Sequence, residues 1–246
     1  MSKIVHPYAH RLIILRDWKS RWFADPKKYV SYLKGDVLIR QYLEKKLRGN
    51  YVSSIEIERS RKATRFIIKT SRPGLIIGRN GEGATKLKEE ILKKMDHLKL
   101  PRPEDFKLEI VEVANPEADA AIVAYMIAEG LEKRMPYRRV IKTIIEKVMA
   151  ARGVEGARIV LGGRLGGADI ARTEELKRGS IPLQSFRADI DFKRERATLS
   201  YGTIGIKVWI YRGRIFADKK SSKTVSETDG GRRDASSNDK KAIKMD

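Results

Sequence analysis

Gly74-Leu75-Ile76-Ile77-Gly78-Arg79-Asn80-Gly81-Glu82-Gly83 sits between a short apolar run and an amphipathic repeat. Two glycines three apart let a turn pass close to another surface, because neither carries a Cβ. Between them, Arg79 and Asn80 offer a permanent cation and an amide donor. A helix starting near Glu82 would aim its unpaired N–H groups and the positive end of its dipole at the same tip. All of this suits a sugar-phosphate backbone. Alone, the spacing also fits a tight turn between two helices.

The flanking pattern decides between these. Residues 27–48 carry Tyr29, Tyr32, Leu33, Val37, Tyr42, Leu43 and Leu47 at helical spacing, closed by Gly49-Asn50. Ile55 and Ile57, then Phe66 and Ile68, alternate with polar residues as two strands. Pro73 opens a short helix into the glycines; beyond them Leu87, Ile91 and Met95, with Leu92, mark a core-facing helix. Phe106, Leu108 and Ile110 then form a third strand. The order helix, strand, strand, helix, G-x-x-G, helix, strand resembles a type II KH domain. The KH loop clamps about four nucleotides of single-stranded nucleic acid, and the resemblance assigns that role to Gly78, Arg79, Asn80 and Gly81.

Asn115-Pro116 reads as a linker to a second α+β domain. Helices are expected over about 117–133 and 137–151. In the second, Val140, Ile141, Ile144, Ile145, Val148 and Met149 form one apolar face. Arg139, Lys142 and Glu146 lie opposite, with Arg138 at the edge. Strands follow at about 157–161, 186–193 and 197–211. The expected fold is α+β: a basic and aromatic N-terminal arm (1–25), a type II KH domain (26–115), two helices on a mainly antiparallel sheet (116–216), and a disordered tail (217–246) lacking periodicity.

Composition narrows the partners. The 246 residues include 53 Lys and Arg against 32 Asp and Glu, a formal charge of +21. The excess is spread as +8 over 1–50, +4 over 51–115, +7 over 116–216 and +2 over the tail. Such a balance points to a polyanion meeting several faces, whereas a membrane-surface protein would concentrate charge on one amphipathic segment. With no cysteine, disulfides, thiol catalysis and cysteine-rich metal sites are excluded. No apolar leader opens the chain, and runs such as Leu12 to Leu15 are too short to span a bilayer. The expectation is a soluble, cytoplasmic protein with no membrane partner.

Leu161-Gly162-Gly163-Arg164-Leu165-Gly166-Gly167 is the second glycine cluster. It lacks the Gly-Lys-Ser/Thr of a phosphate-binding nucleotide loop and does not match G-x-G-x-x-G. It is either a strand-end turn or a loop that brings Arg164 and Arg172 to RNA phosphate. Arg138, Arg139 and Lys142 are likewise either a solvated face or an RNA contact; cations at a helix start oppose its dipole, a cost that an anion would relieve. His6, His10 and His97 lack metal-ligand spacing. Asp169, Glu174, Glu175, Asp189 and Asp191 are expected to pair with arginines such as Arg172 and Arg187. No nucleophile–base constellation, cofactor motif or small-molecule site is evident.

A longer resemblance covers residues 1 to about 216. Lys3-Ile4-Val5-His6-Pro7, Trp22-Phe23-Ala24, Arg40-Gln41-Tyr42-Leu43 and Ile57-Glu58-Arg59 are similar to the bacterial form of the small-subunit ribosomal protein three family. So are the run from Gly163 to Glu174, Arg187-Ala188-Asp189-Ile190-Asp191, and Tyr201 to Ile210. The resemblance implies a non-enzymatic constituent of the small-subunit head. It implies binding to 16S-type ribosomal RNA and to neighbouring proteins ten, fourteen and two. It further implies lining of the channel through which mRNA enters, with Arg138, Arg139 and Lys142 as the basic patch that holds and helps to unwind the message. Two departures stand out: Arg79-Asn80 occupies a loop interior where bacterial members commonly carry two lysines, and nothing after Phe216 matches. The rival readings are a free KH regulator of mRNA acting off the ribosome, and a KH-bearing GTPase or nuclease.

Overall fold

The computed structural model describes residues 6–60, 63–98 and 105–215. The expected disordered tail, 217–246, and the opening Lys3-Ile4-Val5 of the resemblance lie outside them. In chain order the elements are α1 (Pro7–His10), β1 (Ser20–Arg21), α2 (Pro26–Lys46), β2 (Val52–Arg59), β3 (Ala63–Thr70), α3 (Pro73–Ile77), α4 (Glu82–His97), β4 (Asp105–Glu112), α5 (Ala120–Glu132), α6 (Tyr137–Ala150), β5 (Gly156–Gly163), β6 (Arg172–Gly179), β7 (Ala188–Leu199) and β8 (Gly202–Arg214).

The first sheet has the order β1-β2-β3-β4. β2 and β3 are antiparallel, placing Ile57 against Phe66 and Ile55 against Ile68. β4 runs parallel to β3, so the chain must cross back between them; α3, the glycine loop and α4 make that crossing. Leu87, Ile91 and Met95 of α4 meet Ile39 and Leu43 of α2 and the strand residues in one apolar cluster. This is the type II KH arrangement expected from the order of elements. Asp36, inside α2, is buried where the Trp22 indole N–H (2.7 Å) and Arg59 (2.6 Å) both donate to it.

The second sheet, β6-β5-β8-β7, is wholly antiparallel. Ile204, Ile206, Val208 and Ile210 of β8 face a larger cluster with α5 and α6. Asp119 caps α5 by accepting from the Ala121 and Ile122 amides at 2.8 and 3.2 Å. Two strand expectations need correction. β6 was not anticipated: its sequence, Arg-Thr-Glu-Glu-Leu-Lys-Arg-Gly, is dominated by charge. It is an edge strand, where charged side chains meet solvent and discourage pairing with another chain. β7 continues to Leu199 instead of ending at 193, because Arg194 and Arg196 project from a solvent-facing side that interrupts the apolar alternation without breaking the ladder.

The described part of the N-terminal arm is a strap. Ser20–Arg21 pairs parallel to β2, while Arg11, fully buried, donates to the carbonyls of Ala188 (2.6 Å), Ser185 (2.9 Å), Pro7 (3.0 Å) and Leu183 (3.1 Å). His6 sets its ring edge on Phe192 at 4.7 Å. His10, whose ring lies 5.9 Å from Phe186, and Arg11 show no period because they are placed by contacts far along the chain, while Tyr8 donates to the Asp17 carbonyl at 2.8 Å. Polar bonds join the start of β2 and the turn before it to α5 and β7: Ser53 to Asp119, Tyr51 to Glu129, and Arg48 to Glu132 and to the Arg196 carbonyl. Among the described residues no helix is long and apolar enough to cross a membrane.

Candidate nucleic-acid interface

Two separate regions carry the residues singled out from the sequence. The first is the loop between α3 and α4. Gly78 has φ 71° and ψ −176°, Asn80 φ 50° and Gly81 φ 81°. The conformation at Gly78 is nearly closed to other residues, and Asn tolerates the left-handed region better than most. Gly83 matters as much, for another reason: a Cβ there would lie 2.6 Å from the Ile76 carbonyl oxygen. The start of α4 therefore packs directly on the end of α3. Arg79 and Asn80 stand exposed at the tip, and no side chain caps the first amides of α4.

The second region surrounds the start of α6, where Arg138, Arg139 and Lys142 are all exposed. Arg138 reaches Glu174 of β6 at 3.3 Å, and the Tyr137 hydroxyl donates to the same carboxylate at 3.1 Å. Arg172 joins from the strand, donating to the Tyr137 oxygen at 3.2 Å and lying 4.0 Å from Glu174. Tyr137 and then Arg138 hold the Glu174 carboxyl below its ordinary pKa, and Arg138 is raised chiefly by its bond to Glu174. The fold thus brings Arg172 into the α6 patch. Arg139 and Lys142 make no ion pair among the described residues.

Arg164 has a different place. Its guanidinium donates to the carbonyls of Ala168 (2.9 Å) and Tyr201 (3.3 Å) and to Asp169 (2.9 Å). Leu165 beside it is buried and Gly166, at φ 69°, packs near the Tyr137 ring. The second glycine cluster forms a strand-end turn that its own arginine bonds, with that side chain still partly exposed, and Gly166 sets the turn beside the start of α6. Tyr137 and Glu174 were not foreseen as organisers of the patch. The signal available was only that Glu174 would seek an arginine. The other acidic residues of that group are also paired: Glu175 with Arg158, and Asp189 and Asp191 with Arg16 and Arg212. Among the described residues no three His, Asp or Glu side chains gather as a metal site.

Comparison with known proteins bears on both regions. Residues 38–118, which contain the first loop, match the KH domain model, and residues 127–210, which contain the α6 patch, match the model for ribosomal protein S3, C-terminal domain. The small ribosomal subunit protein uS3 of Caldicellulosiruptor bescii is 44% identical over 90% of this chain and 97% of its own. The chain belongs to the uS3 family. Other uS3 proteins agree: that of Psychrobacter is 43% identical over 87% of this chain and 84% of its own, and that of Clostridium novyi 40% over 89% and 96%. The two family models leave the strap, the first half of α2 and the first half of α5 uncovered, whereas the relatives span most of the chain.

Proposed function

We propose that this chain is a structural constituent of the small ribosomal subunit, seated in the head on 16S-type RNA and against neighbouring proteins ten, fourteen and two. It has no catalytic chemistry of its own. At the channel through which mRNA enters, Arg138, Arg139 and Lys142 hold the message by charge, without reading its sequence. Counterion release drives that contact and weakens it as salt rises. Unwinding is passive: opened strands are trapped while translocation supplies the work.

The observation that carries this reading is the charge imbalance at the start of α6. Four exposed cations, Arg138, Arg139, Lys142 and Arg172, gather around Glu174, which only Arg138 and Arg172 approach among the described residues, while Glu146, one turn further along α6, pairs with Arg178. Arg79 and Asn80 at the KH loop supply a further anchor on RNA, and Arg164 supports the patch from beneath. Sucrose-gradient fractionation at physiological salt tests the placement: the protein should co-sediment with small subunits, and confinement to the soluble pool would favour the free KH regulator instead. Replacing Arg138, Arg139 and Lys142 by Gln should slow translation of structured messages several-fold more than unstructured ones, with subunit assembly largely intact. Equal slowing of both classes would remove the patch from the mRNA path.

A further inference from the structure

The second sheet has another face. α5 and α6 cover one side, and at one end of the other side the strap closes over Phe192 and Trp209. The remainder is an open trough of about 780 Å³ across all four strands. The pairing Thr173–Gly162–Gly205–Arg196 forms one row across it, and Glu175–Val160–Lys207–Arg194 the next, where Glu175 is held by Arg158; Glu195 also borders the trough.

Two independent observations point to a ligand. First, Arg194 and Lys207 are direct cross-strand partners, and like charges so placed repel. Both are exposed, as is Arg196, and none of the three has an ion pair among the described residues. A bound anion would relieve that repulsion. Second, the fold does not need glycine at 162 or 205. Neither has a left-handed φ, and a Cβ at either would meet nothing nearer than 3.7 Å. Glycine inside a strand weakens it and often marks a bulge, a tight bend or close approach by a ligand or another backbone, and the β5–β8 register runs through this pair without a bulge. Two side by side, in the central strands, leave a floor without side chains beside a row of cations.

We propose that this open face is a second RNA-binding site, on the opposite side of the sheet from α6, which takes a sugar-phosphate backbone over Gly162 and Gly205 with its phosphates on Arg194, Arg196 and Lys207. Arg194 and Arg196 point the same way two residues apart, about 7 Å along the strand, a separation suited to successive phosphates. No aromatic side chain lines the trough, so the bases are not stacked and the contact is indifferent to sequence. The second sheet is then gripped by RNA on both faces. The inference rests on the RNA-binding reading above and extends it to a surface that reading does not use.

Full-length protein with Gly205→Thr provides the sharpest test, because a Cβ there meets nothing nearer than 3.7 Å and threonine favours strand. Melting temperature should hold or rise while affinity for a mixed-sequence RNA duplex and for polyuridylate falls about tenfold. Arg194→Gln/Arg196→Gln/Lys207→Gln should lower the slope of log affinity against log salt by about 3. If neither variant changes RNA affinity while the Arg138/Arg139/Lys142 variant does, this proposal fails and the function stands. If none of the three does, the RNA-binding reading itself fails. Binding of polyglutamate that depends on Arg194 and Arg196 and is undisturbed by excess RNA would assign the trough to an acidic protein and overturn the proposal. In assembled subunits, Thr203→Cys would be the chain's sole cysteine and can carry an iron chelate. Cleavage of ribosomal RNA or of bound mRNA from that position identifies the source of the strand, and cleavage of neither overturns the site.

Discussion

At Arg79, between Gly78 and Gly81, the guanidinium stands in solvent with no protein partner among the described residues. At Arg164, between Gly163 and Gly166, it is spent on two carbonyls and Asp169. Both loops combine glycines with an arginine, and both contain left-handed glycines. What separates them is what lies behind. The first is a crossing between two helices, with Gly83 allowing their backbones to touch, and its arginine points away from them into solvent. The second ends a strand next to the β7–β8 turn, whose Tyr201 carbonyl needs a donor. In this chain the loop arginine with acceptors in reach is the one that bonds its own turn.

The largest expected effect that could break this comparison comes from Gly83→Ala. The added methyl would collide with the Ile76 and Ile77 carbonyls, so thermal or urea unfolding should show a loss of about 2 to 3 kcal/mol; a neutral result would mean the helices separate easily. Arg164→Gln follows, with about 1 to 2 kcal/mol lost to unsatisfied carbonyls in a half-exposed setting and an RNA salt slope changed little. Arg79→Gln should do the reverse, leaving stability within about 0.5 kcal/mol while lowering the salt slope of RNA binding by about 1. Should Arg164→Gln and Arg79→Gln give the same pattern, the contrast is wrong.

The smallest effect belongs to Glu174→Gln, which frees Arg138 and Arg172 and should strengthen RNA binding, raising the salt slope by about 1 or less. Tyr137 and Arg138 hold the Glu174 carboxyl below its ordinary pKa. A depressed carboxylate contributes its stabilisation above its unfolded value and loses it only as pH falls through the lowered folded one. Pairing at the patch therefore persists through neutral pH, and RNA affinity in the wild-type protein should show no Glu174 step between about pH 5 and 8. A step there that Glu174→Gln abolishes would show the carboxylate titrating freely.

Much of the fold was legible from short windows. The alternation at Ile55–Ile57 and Phe66–Ile68, and the helical faces of Leu87–Ile91–Met95 and Val140–Val148, appear where the periods place them. These are local properties, since strand and helix periods follow from backbone geometry alone. β6 escaped because an exposed edge strand has no apolar face to alternate. The strap escaped because Arg11 is buried by carbonyls 172 to 177 residues away. The candidate site divides in the same way. Arg138, Arg139 and Lys142 were visible as one face of a helix, but the addition of Arg172 and the diversion of Arg164 were not.

By itself the sequence determined the elements that carry an apolar face, the polyanionic partner class and the glycine positions, because periodicity, charge and the absence of a Cβ belong to the chain wherever it goes. Only the tertiary structure decided which cations remain available. Whether Arg138, Arg164 or Arg172 is free depends on Glu174, Tyr201 and Tyr137, each 35 to 37 residues distant, and an ion pair forms by distance in space, which local sequence does not encode.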